Sequence, residues 1–166
     1  GDVRVLVAAS WRADAFAAAL RGADVPAERV LVAQWLRQRA VLAHARVKLF
    51  GTHCGWGSLS ESLYYGHAAV LAYPFSFDQE DNGAAAVDFG VARRIDPRAA
   101  TAADVRDAMR ALLANASHNA YTQRARYAAA LSEQAGGVHR VVDIALHQVA
   151  LGELATSAAG TPPAPL

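Results

Sequence analysis

Short β-type runs alternate with helical patterns through the first hundred residues, and this alternation restricts the chain to parallel strands joined by helical crossovers. Runs rich in Val, Leu and Ile or Phe stand at 3–7, 29–33, 47–50 and 69–73, with a last edge strand at 91–95. Helices are expected at 14–20, 59–65 and 80–89, with a short helical turn beginning at Val41 and Leu42. Gly66 and Gly90 follow two of these helices, where a left-handed cap needs no side chain. Beyond residue 95 the pattern is helical only. Thr101 and Asp104 have the spacing of a capping box and open a helix to Asn115. Two more helices, 119–134 and 138–151, are divided by Gly136 and Gly137. The expected fold class is therefore α/β, a parallel sheet flanked by helices with a carboxyl-terminal helical segment.

With 166 residues, the chain has the size of one domain with a sizeable core. Residues 1–151 are assigned to it. Residues 152–166 are expected to be a disordered tail, because small side chains with Pro162, Pro163 and Pro165 bury too little apolar area to offset ordering. A formal net charge of +1 gives no general attraction to nucleic acid or anionic membrane. The single cysteine, Cys54, precludes an internal disulfide and fits a reducing, cytoplasmic setting. The first apolar run reads as a strand rather than a secretory leader, and no run approaches the roughly 20 residues that span a bilayer. No internal repeat is evident.

The chemistry concentrates between Trp35 and Gln79. A strand ending at His53, glycines at 55 and 57 and a helix starting at Ser58 would aim backbone N–H groups and a positive helix end at one point, an arrangement that holds phosphate. His53 would lie at the carboxyl end of its strand, where open α/β sheets bind ligands. The purely structural alternative is a capping box over Ser58 to Glu61, with glycines serving only the turn. Glu61 lies one turn beyond Ser58 and can accept from ribose hydroxyls or simply cap or face solvent. Trp35, just past the second strand, offers a flat face for a base or for packing. Asp78 and Gln79 open a further helix, with Asp78 either an N-cap or, with Gln79, a partner of sugar hydroxyls.

Taken in order, Trp35, Leu36, Arg37, Gln38, Leu42, His44, Phe50, the run from Thr52 through His53, Cys54, Gly55, Trp56 and Gly57 to Ser58, then Glu61, Ser62, Gly66, Pro74, Asp78 and Gln79 resemble the signature box of family 1 UDP-glycosyltransferases. Asn82 fits an extended Asp-Gln-x-x-Asn version of that box. The box covers a little over a quarter of the chain. The resemblance implies a two-lobed GT-B enzyme whose carboxyl-terminal, Rossmann-like lobe holds a sugar nucleotide. By position, Trp35 would stack on uracil and Gln38 would lie beside base and ribose. His53 would touch the β-phosphate, Ser58 and the Gly57 backbone the α-phosphate, and Glu61 the ribose hydroxyls, with Gly55 also among the donor-binding positions. Trp56, Asp78 and Gln79 would face the sugar, Gln79 favouring glucose. No metal or further cofactor is implied beyond the UDP-sugar.

Two single positions and one pair depart from the pattern. Arg37 stands where the family usually has proline, Gly57 where many members have asparagine, and His67-Ala68 where a Val-Pro or Ile-Pro pair is expected. The segment from Gly66 to Pro74 is also one residue longer. In such enzymes the acceptor pocket and its histidine base belong to an amino-terminal lobe, which this sequence lacks, and the Gly-Ser loop near the diphosphate has only Ser10-Trp11 as a divergent counterpart. The implied function is the donor-binding part of a hexosyl-transferring enzyme, completed by an amino-terminal lobe or partner subunit. The alternative is a nucleotide-binding module without catalysis.

Overall fold

A computed structural model describes residues 4–9, 12–22, 26–116 and 118–159. Ser10 and Trp11, the opening residue of the first expected strand and residues 160–166 lie outside the described residues. The elements follow in the order β1 Val5–Ala8, α1 Ala13–Gly22, β2 Val30–Ala33, α2 Gln38–Leu42, β3 Leu49–Thr52, α3 Trp56–Tyr65, β4 Ala69–Ala72, α4 Gln79–Asp88, β5 Ala92–Arg94, α5 Ala102–Leu113, α6 Ala120–Gln134 and α7 Gly137–Ala159. A short 3₁₀ turn, Ala27–Arg29, leads into β2.

Every strand pairing is parallel. Strand β1 pairs with β2 from Val5↔Val30 to Ala8↔Ala33. The order β3-β4-β5 forms the second ladder, with Leu49↔Ala69 and Val70↔Ala92 in register. Among the described residues β2 and β3 share no ladder, so the parallel strands form two sheets. Parallel neighbours cannot be joined by hairpins, and a helix accordingly follows each strand.

Strand β4 is the centre of the core, with all four residues buried. Its side chains alternate between faces, as a strand's period of two requires. Val70 and Ala72 pack with Cys54, Leu59, Ala86, Val91, Ala92 and Ala125, under α3, α4 and α6. Ala69 and Leu71 pack on Ala108 and Leu112 of α5, flanked by Leu49, Ile95, Val105, Met109 and Tyr121. Burial on both faces explains why this strand reads as a continuous apolar run. Fully burying a side chain such as Leu112 or Val70 contributes about 1.5–3 kcal/mol each. Before Leu42, no described side chain is buried, so the β1–β2 unit rests on little core of its own.

Several local expectations need correction. Helix α3 begins at Trp56, not Ser58, because Gly55 (φ −58°, ψ 141°) is its N-cap and the Leu59 N–H already donates to the Gly55 carbonyl at 3.0 Å. Ser58 is thus inside the first turn, and the capping box over 58–61 does not form, since the N-cap is Gly55, which has no side chain to accept. Gly66 is extended (φ −96°, ψ 159°) rather than left-handed. A β-carbon there would meet the Ser62 carbonyl oxygen at 2.5 Å, so close backbone approach selects glycine. Asp78 precedes α4 but makes no side-chain cap bond. By contrast Gly90 adopts φ +85°, and the Thr101/Asp104 capping box forms with both reciprocal bonds. Helix α7 runs on to Ala159, eight positions into the stretch expected to be tail, in keeping with the helix propensity of its Leu and Ala residues.

Candidate functional site

The residues singled out by the sequence follow β2, β3 and β4 in the chain, on the carboxyl-end side at which open parallel sheets bind ligands. The turn after β3 is built from the inside. Thr52 is buried and its Oγ1 accepts from the Cys54 N–H at 3.1 Å. Cys54 is fully buried and holds a left-handed conformation, φ +66°. Its carbonyl accepts from Asn82 Nδ2 at 3.1 Å, tying the start of α4 to this turn. Burial pushes the Cys54 thiol and the Tyr73 phenol up from their ordinary pKa values, so both are neutral groups that serve packing.

Immediately after this turn, His53 is exposed and its imidazole lies over Gly55. A methyl group at position 55 would fall 2.5 Å from His53 Nε2. The ring in this position therefore leaves no room for a side chain at 55 unless the imidazole moves, whereas a β-carbon on Gly57 would meet nothing within 4 Å. The N–H groups of Trp56, Gly57 and Ser58 open α3 without intrahelical acceptors, and Gly55 at the N-cap has no side chain to satisfy them. An imidazole thus stands beside open backbone donors and the positive end of a ten-residue helix.

On the neighbouring face, α2 meets α3. Gln38 Nε2 donates to Glu61 Oε2 at 2.9 Å, and Arg39 Nε donates to Glu61 Oε1 at 2.8 Å. The Arg39 hydrogen bond, reinforced by that of Gln38, holds the Glu61 carboxyl below its ordinary range. The same contact raises Arg39 further. The Arg39 guanidinium also lies 5.8 Å from the centre of the Tyr65 ring.

A third group sits at the start of α4. Asp78 Oδ2 accepts from Asn82 Nδ2 at 2.8 Å. Gln79 Oε1 accepts from the N–H groups of Phe75 and Ser76 at 3.0 and 3.4 Å, which folds the β4–α4 loop onto the helix. Arg98 donates to the Phe75 carbonyl, fastening the same loop from the other side. Phe77, 88% exposed, sits in this loop at φ +57°.

The structure thus joins Gln38 to Glu61, His53 to Gly55 and the α3 start, and Asp78 to the β3–α3 turn through Asn82. Trp35 and Trp56 stand apart, 83% and 69% exposed, and neither indole stacks on another ring among the described residues. Arg39 and Arg98 were not legible in the sequence. Their partners lie 22 and 23 residues away, and no local spacing links them. Among the described residues, no group of three or more His, Cys, Asp or Glu side chains could hold a metal ion. No described helix is long and apolar enough to cross a membrane.

Comparison with known proteins fits this arrangement. The family model of UDP-glucoronosyl and UDP-glucosyl transferases matches residues 11–125. A malvidin galactosylase of Oryza sativa subsp. indica is 39% identical over 98 residues, 55% of this chain and 20% of that protein. A UDP-glucuronosyltransferase of Rattus norvegicus is 33% identical over 87 residues, 52% of this chain and 16% of that protein. The crystal structure of the glycotransferase of kitacinnamycin superposes with a TM-score of 0.68 at 27% identity, covering 89% of this chain and 44% of that one. The chain spans a fifth or less of the curated relatives it matches. Parallel strands, flanking helices and a family match over more than half of the sequence agree: this chain belongs to the UDP-glucuronosyl and UDP-glucosyl transferase family and carries the Rossmann-like fold of a GT-B glycosyltransferase lobe.

Proposed function

We propose that this chain is the UDP-sugar donor-binding part of a glycosyltransferase that moves a hexosyl group to an acceptor hydroxyl. The observation that carries the reading is the packing of the His53 imidazole over Gly55, beside the uncapped N–H groups that open α3. A diphosphate is the ligand chemistry such a convergence suits, since the backbone donors and imidazole can spread over its oxygens. In transfer, the bond between the sugar's anomeric carbon and the β-phosphate oxygen breaks and negative charge grows on that oxygen. Donors already in place stabilise this charge without reorganising, which is the role that the helix end and His53 take in the absence of any required cation. Glu61, held ionised, is assigned to the ribose hydroxyls, Gln38 to the base and ribose, and Trp35 to the uracil face. Trp56, Asp78 and Gln79 are assigned to the sugar. Glucose is favoured by Gln79, while relatives named for galactose and glucuronate mark the sugar as the point to test.

The acceptor base belongs to this proposal as a group outside the chain, in an amino-terminal lobe or partner subunit. The small fraction of its relatives that the chain spans supports this, as do apolar side chains left exposed along α7. The buried free thiol of Cys54 is consistent with a cytoplasmic setting. The open space at Gly57, with no side-chain amide toward the phosphates, favours a second reading, a nucleotide-binding module without catalysis.

Calorimetric titration of the chain and of His53→Ala with UDP, UDP-glucose and NADH tests the site. UDP is expected to bind in preference to NADH, and the substitution to weaken it about tenfold, as for loss of one charge-assisted hydrogen bond. UDP binding unaffected by the substitution would remove His53 from the phosphate site. Adding the amino-terminal lobe and an acceptor then separates the two readings, since only the first yields sugar transfer.

A further inference from the structure

We infer that Arg39 is a positioning residue of the donor site, fixing the Glu61 carboxylate so that its remaining lone pairs are presented to a vicinal diol; this rests on the ribose role proposed for Glu61. A carboxylate offers about four acceptor directions, two on each oxygen. Arg39 Nε takes one on Oε1 and Gln38 Nε2 takes one on Oε2. One direction is left on each oxygen, the pattern needed to accept from two adjacent hydroxyls. Gln38 alone would anchor a single oxygen and leave the carboxylate free to rotate. Two anchors on two oxygens fix its plane before ligand arrives, so less ordering is left for binding to supply.

Arg39 is itself braced. Glu61 and Tyr65 are four residues apart on α3 and share a face, and the guanidinium lies 5.8 Å from the Tyr65 ring centre while bonded to Glu61. A planar guanidinium can make both contacts at once, whereas a lysine ammonium lacks the fork and the stacking face. The exposures are ordered accordingly, 25% for the Glu61 side chain and 68% for that of Arg39. The acceptor sits within the site and its brace lies outside it. The contact also keeps Glu61 ionised, the state in which it is an acceptor only.

The test is a ligand cycle on the full chain with UDP and 2′-deoxy-UDP, read by calorimetry or ligand-observed NMR. The unmodified chain is expected to prefer UDP by about tenfold, the size of a hydrogen bond to a charged acceptor. In Arg39→Gln this preference is expected to fall below about threefold, with affinity for 2′-deoxy-UDP unchanged. A merely structural role for Arg39 would weaken both ligands alike. A preference that stays the same or grows in Arg39→Gln overturns the inference, growth meaning that Arg39 competes with the ribose for Glu61. No preference in the unmodified chain overturns the inference together with the ribose role of Glu61, while a preference that survives the substitution leaves that role intact. Tyr65→Leu, which removes the ring beside the guanidinium, is expected to narrow the preference in the same direction, and an unchanged preference in it overturns the inference equally.

Discussion

At the scale of single residues, Gly55 and His53 behave as one unit, because the ring occupies the space that any side chain at 55 would need. Gly55→Ala is therefore expected to displace the imidazole while leaving the turn intact, since φ −58° is open to alanine. The chain should fold as before and lose UDP affinity to about the extent of His53→Ala, on the order of tenfold. The double variant should be no worse than either alone, because the second change removes a contact already gone. Additive losses in titrations of the three variants would show that Gly55 acts on its own. This part of the site was legible because a histidine, two glycines and a helix start are adjacent in sequence. The Gln38–Glu61–Arg39 cluster was half legible. Position in a family pattern marked Gln38 and Glu61, but their meeting depends on how α2 packs against α3, which no spacing encodes. Gln79 shows the limit from the other side: its carbonyl oxygen is occupied by loop N–H groups, leaving its amide as the group turned to other partners.

At the scale of elements, α5 shows how cleanly a helix start can be written into sequence. Thr101 Oγ1 accepts from the Asp104 N–H at 3.3 Å and the Asp104 carboxylate accepts from the Thr101 N–H at 2.8 Å. The Thr101 hydroxyl, which donates to Asp104 Oδ2 at 2.7 Å, and then the Thr101 N–H hold the Asp104 carboxyl below its ordinary range. Thr101→Ala is expected to lower stability by about 1 kcal/mol, or roughly 2–4 °C in Tm. UDP affinity should not change, since α5 packs on the sheet face away from α3 and α4. Thermal unfolding and titration on one sample check both halves. The α3 start was misjudged for a contrasting reason. Ser58 and Glu61 have capping-box spacing, but the left-handed Cys54 and extended Gly55 deliver the chain into helix two residues sooner. Likewise Gly66 reads as a cap by position, yet a carbonyl 2.5 Å from its would-be β-carbon is what selects it. Apolar periodicity located the elements. Their ends were decided by backbone contacts that periodicity does not carry.

At the scale of the whole molecule, the core is unevenly distributed. It gathers around β4, while β1 and β2 leave Leu31 63% and Val5 43% exposed. Helix α7 is more extreme. Val138, Val141, Val142, Leu146 and Val149 are 70%, 65%, 49%, 63% and 58% exposed and recur at the spacing of one helical stripe, while Ile144 and Leu151, 49% and 46% exposed, lie on the opposite side with Arg140, Asp143 and His147. A stripe of this kind on water is the mark of a surface meant to be covered. The amino-terminal lobe proposed above is the candidate cover, and the kitacinnamycin glycotransferase chain likewise extends beyond the 44% matched here. Alone, the chain has only itself to offer. Sedimentation is expected to give an apparent mass that rises above 17.5 kDa with concentration. Replacing Val141 and Leu146 by glutamate should return it to that value without altering UDP affinity, because the stripe takes no part in the donor site. Adding the proposed amino-terminal lobe should suppress the association in the unsubstituted chain, and the same two glutamates should then weaken lobe binding. A chain that sediments at 17.5 kDa across the micromolar range, with and without the substitutions, would mean that the α7 stripe is stable in water and is not the docking face of the proposed lobe.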